Sequence, residues 1–261
     1  MPILNPGPNQ ITYTLEGPAG APVIVFSNSL GTTMAMWDAQ AGALERDFRV
    51  LRYDTRGHGG SGIGAGGVQG YTLGQLGGDV LRLLDALGIE RAHFCGISMG
   101  GLTGLWLGVH AGQRLQSLTV ANSAACIGTA AGWQDRAGQV RASGMDLVAD
   151  SASARWFSDR FVLEAPAVTS ALIEQLRRCP PAGYAACCMA LAAADLREQI
   201  AAITVPTLLF AGRFDPVTTV DDARFMQDRI EGSRVQVLDA SHLSNIEDAS
   251  RFTSELRAFV H

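Results

Sequence analysis

Ser98 stands in Gly96-Ile97-Ser98-Met99-Gly100, between a short apolar run, Ala92-His93-Phe94-Cys95, and a Gly- and Leu-rich stretch that opens at Gly101. A serine placed where a strand turns sharply into a helix is pushed out as a nucleophile. The small residues two before and two after it let neighbouring backbone pass close by. The helix N-terminus behind it offers N–H groups and a partial positive charge to a developing oxyanion. The same five residues also describe an ordinary Gly/Ser turn, so the chemistry depends on an acid and a base elsewhere in the chain.

Both are present, in order. Asp215 lies in Ala211-Gly212-Arg213-Phe214-Asp215-Pro216, immediately after an apolar run. A carboxylate at the carboxyl end of a parallel strand faces the crevice where open α/β sheets bind ligands, although Asp-Pro is also a common turn initiator. Asp221 and Asp222 open an expected helix, where acids act as caps. His242 follows another apolar run, in Asp239-Ala240-Ser241-His242-Leu243. Of the other four histidines, His261 is terminal, His110 falls on the helix after Ser98, His93 lies in a strand and His58 sits in a tight Gly-flanked turn. Three separate loops, each just past a strand, thus supply a nucleophile, an acid and a base in the chain order Ser98, Asp215, His242.

Composition narrows the setting. The chain has 261 residues, 47% hydrophobic and 17% charged, which is globular and large enough to bury a substantial core. A net charge of −5 argues against a nucleic-acid footprint. All 20 basic residues are arginine, which excludes a Schiff-base lysine and a phosphate-binding P-loop lysine. The five cysteines (Cys95, Cys126, Cys179, Cys187, Cys188) have no C-x-x-C spacing and read as reduced thiols rather than a disulfide framework or zinc site. No signal-peptide pattern opens the sequence and no apolar stretch reaches membrane-spanning length, so a cytoplasmic protein without membrane or nucleic-acid partners is expected.

The elements that must position these residues follow from the apolar runs at 22–27, 48–53, 92–95, 118–122, 205–212 and 234–238. The first four are short, β-branched-rich and bounded by turn residues, as buried parallel strands tend to be, and the last two resume the strand pattern. Leu73, Leu76, Val80, Leu81, Leu83, Leu84 and Leu87 recur at helical spacing before Gly88, a natural stop. Strand–helix alternation predicts a mostly parallel central sheet flanked by helices. Residues 59–70 are Gly-rich and read as a loop at the rim of the site. From about 123 to 203 the sequence turns helical without a strand pattern. The expectation is an α/β core, 1–122 and 204–261, with an inserted helical cap, 123–203. A terminal amphipathic helix starts near Glu247.

On these motifs the chain resembles the α/β-hydrolase family over nearly its full length. The matching elements are Ser27-Asn28-Ser29-Leu30-Gly31, Tyr53-Asp54-Thr55-Arg56-Gly57-His58-Gly59, Gly96-Ile97-Ser98-Met99-Gly100-Gly101, Gly212-Arg213-Phe214-Asp215 and His242. The first two, with Ala92-His93-Phe94-Cys95-Gly96, are similar to the 3-oxoadipate enol-lactonase subgroup, in which Asn-Ser replaces the family's usual His-Gly after the first strand; the Gly-rich stretch 61–70 departs from it. The resemblance implies Ser98 as nucleophile, His242 as general base, Asp215 as its orienting acid, and the backbone N–H groups of Leu30 and Met99 as the oxyanion hole. No metal or organic cofactor is required. The implied substrate is a small lactone or ester bearing a carboxylate, which calls for a cation in the pocket. Ser29, Trp133, Arg136, Trp156 and Arg160 are the candidates to line it, with the cap arginines Arg141 and Arg155 also available. Asp54 and Arg56 are expected to hold their turn, and His93 to be satisfied within its strand. Another carboxylesterase or lactonase, a cofactor-free perhydrolase, or a ligand-binding receptor on the same scaffold remain alternatives at this point.

Overall fold

A computed structural model describes every residue except Pro6 and Ala65. Eight strands form one sheet: β1 (Ile3–Leu4), β2 (Ile11–Glu16), β3 (Val23–Ser27), β4 (Arg49–Tyr53), β5 (Ala92–Ile97), β6 (Leu115–Ala121), β7 (Thr207–Gly212) and β8 (Arg234–Leu238), in the order β1-β2-β4-β3-β5-β6-β7-β8. The six strands from β3 to β8 run parallel. β1 and β2 add an antiparallel edge that the apolar runs did not announce. β2 reads Ile-Thr-Tyr-Thr-Leu-Glu, an alternating pattern suited to a half-exposed strand rather than a fully buried one.

The helices are α1 (Asp38–Leu44), α2 (Gly66–Gln69), α3 (Leu73–Ala86), α4 (Met99–Ala111), α5 (Ala130–Ser143), α6 (Asp146–Asp150), α7 (Ala152–Trp156), α8 (Asp159–Glu164), α9 (Pro166–Arg177), α10 (Pro181–Ala193), α11 (Val220–Gln227), α12 (Ser244–Glu247) and α13 (Ala249–Val260). The stop at Gly88 is built as expected. Gly88 takes φ +65°, its N–H donates to the Asp85 carbonyl, and the Ile89 N–H donates to the Leu84 carbonyl at 2.8 Å, closing α3 with two of its orphan carbonyls satisfied. Within 59–70, expected to be a loop, the single turn α2 forms; Ala65 of that stretch lies outside the described residues. No helix among the described residues is long and apolar enough to cross a membrane.

The core runs through an aromatic column. Phe26 of β3 stacks on Trp37 at 4.6 Å, Trp37 meets Phe252 of α13 at 5.9 Å, and Phe252 stacks on Phe210 of β7 at 4.5 Å. Burial of these rings supplies much of the apolar area that holds α13 on the sheet.

Strand order sets the place for a site. Chain continuity leaves β3 toward β4 on one side, while β5 pairs on the other, so the loops after β3 and β5 diverge at a topological switch point and open a crevice beyond the strand ends. Among the described residues, the chain between β6 and β7 carries the six helices α5–α10 and no strand. This helical segment closes over the crevice. α10 packs on α5, and a Cβ on Gly183 would lie 2.1 Å from the Gly57 carbonyl oxygen, so α10 touches the turn after β4 backbone to backbone. On the other side, half-buried Glu247 accepts from the Ser241 N–H at 2.9 Å, the Ser158 N–H at 3.2 Å and the Ser158 hydroxyl. The Leu243 N–H donates to the Trp156 carbonyl at 3.0 Å.

The turn after β4 is fastened by charge, as expected for Asp54 and Arg56. Asp54 accepts from the N–H groups of Met34 and Gly60 at 2.8 and 2.9 Å. Arg56 grips Asp79 of α3 with two 2.6 Å bonds, and the Asp79 side chain is only 2% exposed. Removing one partner of a buried pair strands the other charge. Asp79→Ala is therefore expected to destabilise the fold by about 3–5 kcal/mol, read from urea unfolding; an unchanged midpoint would show that Arg56 is not held by this pair.

Acid should weaken the same turn. His58 is buried, and burial pulls its pKa from 6.5 down to about 4 against the opposing effect of the Arg56 carbonyl. Between those values the unfolded chain binds a proton that the folded chain refuses. The contribution is complete above pH 6.5 and is lost as pH falls toward 4, by up to about 1.4 kcal/mol per pH unit. Comparing wild type with His58→Gln from about pH 7 to about pH 5 should show the variant losing less stability; parallel curves would refute a buried neutral imidazole.

Candidate active site

Ser98 is the single residue between β5 and α4, with φ 57° and ψ −119°. Non-glycine residues rarely take such a conformation, at a cost of about 1–3 kcal/mol that the surroundings must meet. They do so through backbone contact. A Cβ on Gly96 would sit 2.1 Å from the Gly100 carbonyl oxygen, and one on Gly100 would sit 2.2 Å from the Ser27 carbonyl oxygen. Only glycine lets α4 start this close to β3 and β5. The Ser98 N–H donates to the Ala121 carbonyl at 2.9 Å, and the Ser98 carbonyl accepts from the Ser123 hydroxyl at 2.7 Å.

The structure brings Ser98, His242 and Asp215 into one hydrogen-bonded line. His242 Nε2 lies 2.9 Å from Ser98 Oγ, and His242 Nδ1 lies 2.8 Å from Asp215 Oδ2. If Nδ1–H donates to the carboxylate, Nε2 is left as an acceptor for the serine hydroxyl. All three are buried. Burial alone would raise the Asp215 pKa; the adjoining His242 and bonds from His242, Asn122 and the Val217 N–H outweigh it and hold the carboxyl below its usual value.

Asp215 is also the turn former that Asp-Pro suggests: Oδ1 accepts from the N–H groups of Val217 and Thr218 at 2.8 and 3.1 Å. The remaining oxygen accepts from the Thr218 hydroxyl at 2.8 Å and from Asn122 Nδ2 at 3.0 Å. Asn122 follows β6 at φ 41° and donates as well to the Ser241 carbonyl at 3.0 Å, so one amide joins the acid and histidine loops. Asn122 and Thr218 escaped sequence reasoning. The positive φ at the end of β6 is visible only in the structure.

Ser29, Leu30, Ser98, Trp133, Arg136, Arg155, Trp156, Tyr184, Val217 and His242 enclose an inner chamber of about 40 Å³. Trp133, Arg136, Arg155 and Val217 also line an outer cavity of about 270 Å³, and form a neck between the two. Of the expected pocket residues, Ser29, Trp133, Arg136 and Trp156 reach the inner chamber. Arg160 does not: it lines a separate surface cavity with Ser158, Asp159, Phe214 and Asp239. The chain bends at Phe157–Ser158 between α7 and α8, which turns Arg160 away and leaves Arg155, on α7, facing Ser98. Arg155 is held by the Ser151 hydroxyl and, at 3.0 Å, by the Val148 carbonyl, while Arg136 stacks over Trp133 at 5.0 Å. Among the described residues neither guanidinium forms an ion pair with a carboxylate. Burial and the nearby Arg136 both push the Arg155 pKa down.

Around Ser98 the N–H groups of Leu30 and Met99 have, among the described residues, no protein acceptor. Of the remaining histidines, His93 bonds the Ser117 hydroxyl at 2.8 Å within the sheet, as expected.

The comparisons agree with this architecture. A family model for the alpha/beta hydrolase fold matches residues 22–146. A 3-oxoadipate enol-lactonase of Acinetobacter baylyi is 52% identical over 96% of this chain and 92% of its own length. A crystal structure of the enol-lactonase from Burkholderia xenovorans superposes with a TM-score of 0.95 at 42% identity, covering 99% of both chains. An esterase from Thermogutta terrifontis, solved with malate bound, reaches a TM-score of 0.90 at 26% identity, covering 98% of this chain and 95% of its own. The chain belongs to the α/β-hydrolase family, in the group of the 3-oxoadipate enol-lactonases.

Proposed function

We propose that the protein is a serine hydrolase that opens the ring of 3-oxoadipate enol-lactone, giving 3-oxoadipate. The observation that carries this reading is the Ser98–His242–Asp215 line at the floor of a chamber whose neck holds two arginines that have no carboxylate partner among the described residues. The likeness to a 3-oxoadipate enol-lactonase of Acinetobacter supports a lactone substrate, and the dicarboxylate malate bound in the Thermogutta esterase fits a site that takes a carboxylate.

In this reading Ser98 Oγ attacks the lactone carbonyl as His242 Nε2 takes the hydroxyl proton. Asp215 holds the tautomer and stabilises the imidazolium. The N–H groups of Leu30 and Met99 receive the oxyanion. Collapse breaks the acyl–oxygen bond of the ring, and the imidazolium returns its proton to the departing enol oxygen. The enol stays tethered through the acyl chain and relaxes to the ketone. Water, deprotonated by His242, then cleaves the Ser98 ester and frees the second carboxylate. Arg136 and Arg155 hold the carboxylate already present in the substrate, and the helical segment 123–203 acts as the cap that supplies them. Metal and organic cofactors have no part in these steps.

Ser98→Ala is expected to reduce lactone turnover by at least about 10³-fold while still binding the lactone, and Asp215→Asn to reduce kcat by about 10³–10⁴-fold. Ring opening followed by ultraviolet absorbance, beside a panel of p-nitrophenyl esters, checks both. Full activity of Ser98→Ala, or negligible turnover of the lactone by wild type alongside rapid ester hydrolysis, would overturn the proposal. Arg136→Ala and Arg155→Ala should each raise KM for the lactone about 10-fold or more, consistent with a charge-assisted bond of about 1.5–3 kcal/mol, and leave uncharged p-nitrophenyl acetate nearly unaffected. Equal losses on both substrates would remove the arginines from carboxylate recognition.

A further inference from the structure

We propose that His58 is a positioning residue for the oxyanion site: its neutral imidazole fixes the loop that presents the Leu30 N–H. This inference rests on the reading of Leu30 as an oxyanion donor.

The loop after β3 is a type II turn. The Thr32 N–H donates to the Ser29 carbonyl at 3.2 Å, and the third residue, Gly31, takes φ 82°, the value that turn requires. The Thr32 hydroxyl adds a second bond to the Ser29 carbonyl at 2.8 Å. The Ser29 carbonyl and the Leu30 N–H share one rigid peptide plane, so these bonds hold the plane from its oxygen side. A type II turn can flip its central peptide, Leu30–Gly31, to type I by rotation about the two bonds that flank it. Leu30 keeps φ at about −60° in either turn type, so an anchor on Gly31 acts on the plane before Leu30 by fixing where the turn, and with it the Leu30 Cα, lies.

His58 is that anchor. The Gly31 N–H donates to His58 Nε2 at 3.0 Å, which ties the central peptide to the turn after β4 across 27 residues of sequence. The other ring nitrogen, Nδ1, lies 3.2 Å from the Arg56 carbonyl. A carbonyl can only accept, so Nδ1 carries the proton and Nε2 is free to accept from Gly31. The two partners thus select a single neutral tautomer. His58 is 1% exposed, and its own backbone is closed into the turn by the His58 N–H to Thr55 and the Ser61 N–H to His58, both at 2.9 Å. Asp54 fastens that turn, and Arg178 and Cys179 are the charged and titratable groups that line the cavity of about 250 Å³ beside the ring. Burial of His58 lowers its pKa, in keeping with an imidazole required as an acceptor. A side chain at Gly31 would be strained by its φ of 82° and would press on Leu176 Cδ1.

The test compares His58→Leu, which fills the space without an acceptor, with His58→Gln, whose amide oxygen can stand near the position of Nε2. His58→Leu should lower kcat on the enol-lactone and on p-nitrophenyl acetate by about 10- to 100-fold, less than the about 10²–10³-fold cost of deleting an oxyanion donor, with KM changed less than about threefold. The affinity of phenylboronic acid, whose tetrahedral serine adduct places an oxygen in the same site, should fall by a matching factor. His58→Gln should recover most of kcat and of boronate affinity. Circular dichroism and thermal unfolding confirm that both variants are folded. A folded His58→Leu with wild-type kcat overturns the inference, as does a loss of kcat with unchanged boronate affinity, or a Gln variant no better than Leu. If His58→Leu cannot be obtained folded, failure of the folded Gln variant to retain kcat overturns it. Ser98→Ala assayed alongside separates the two readings: an inactive Ser98→Ala with an unimpaired His58→Leu removes only the role of His58, whereas an active Ser98→Ala removes the serine mechanism itself.

Discussion

The site depends on a backbone approach that no side chain would permit. Gly100 at the start of α4 lies against the Ser27 carbonyl at the end of β3, and Gly96 lies against Gly100 itself. This contact lets the chain reverse within one residue, forces Ser98 to positive φ, and leaves its hydroxyl facing the crevice. The strain at Ser98 is met by ordinary hydrogen bonds at both ends of its peptide, to Ala121 and Ser123. The sheet therefore acts as the rigid body on which strain is stored. The same approach sets the distance between the loop after β3 and the head of α4, which decides whether two backbone N–H groups can meet one oxygen.

Much of this was legible because the chemistry has to sit at the ends of buried strands. A strand covered on both faces is apolar nearly throughout, so β3–β7 stand out as short runs, and Ser98 and Asp215 each follow one. The margins of the sheet are less plain: β8, Arg-Val-Gln-Val-Leu, is partly exposed but keeps a Val and Leu run that leads to His242, whereas β2 alternates with threonine and glutamate and was passed over. Other features leave no local signal. Asn122 and Asp215 meet across 93 residues, and nothing near either residue announces the bond. Arg155 and Arg160 are equivalent as letters in an Arg-rich helical segment; a bend two residues long sends one toward Ser98 and the other to a different surface. The boundary between two short helices is where sequence periodicity says least.

Charge in the neck is arranged with restraint. Each arginine has a neutral anchor, a hydroxyl and a carbonyl for Arg155 and an indole face for Arg136, rather than a carboxylate. A resident carboxylate would compete with a substrate for the same donors; neutral anchors orient the guanidinium groups and leave their charge uncompensated. The absence of lysine fits such a site, since a planar guanidinium keeps its charge when half-buried next to another cation.

Glu247 joins parts of the molecule that are usually thought of separately. One carboxylate accepts from Ser158, between α7 and α8, and from the N–H of Ser241, the residue before His242. The helical segment and the histidine loop thus share an anchor within the chain's own hydrogen-bond network. An inserted helical segment is easily pictured as a module separate from the sheet beneath it. Here it is hydrogen-bonded, through Glu247, to the loop that carries His242. Exchanging residues 123–203 for those of a relative would take the Ser158 hydroxyl and N–H away from Glu247 unless the incoming segment supplied equivalents.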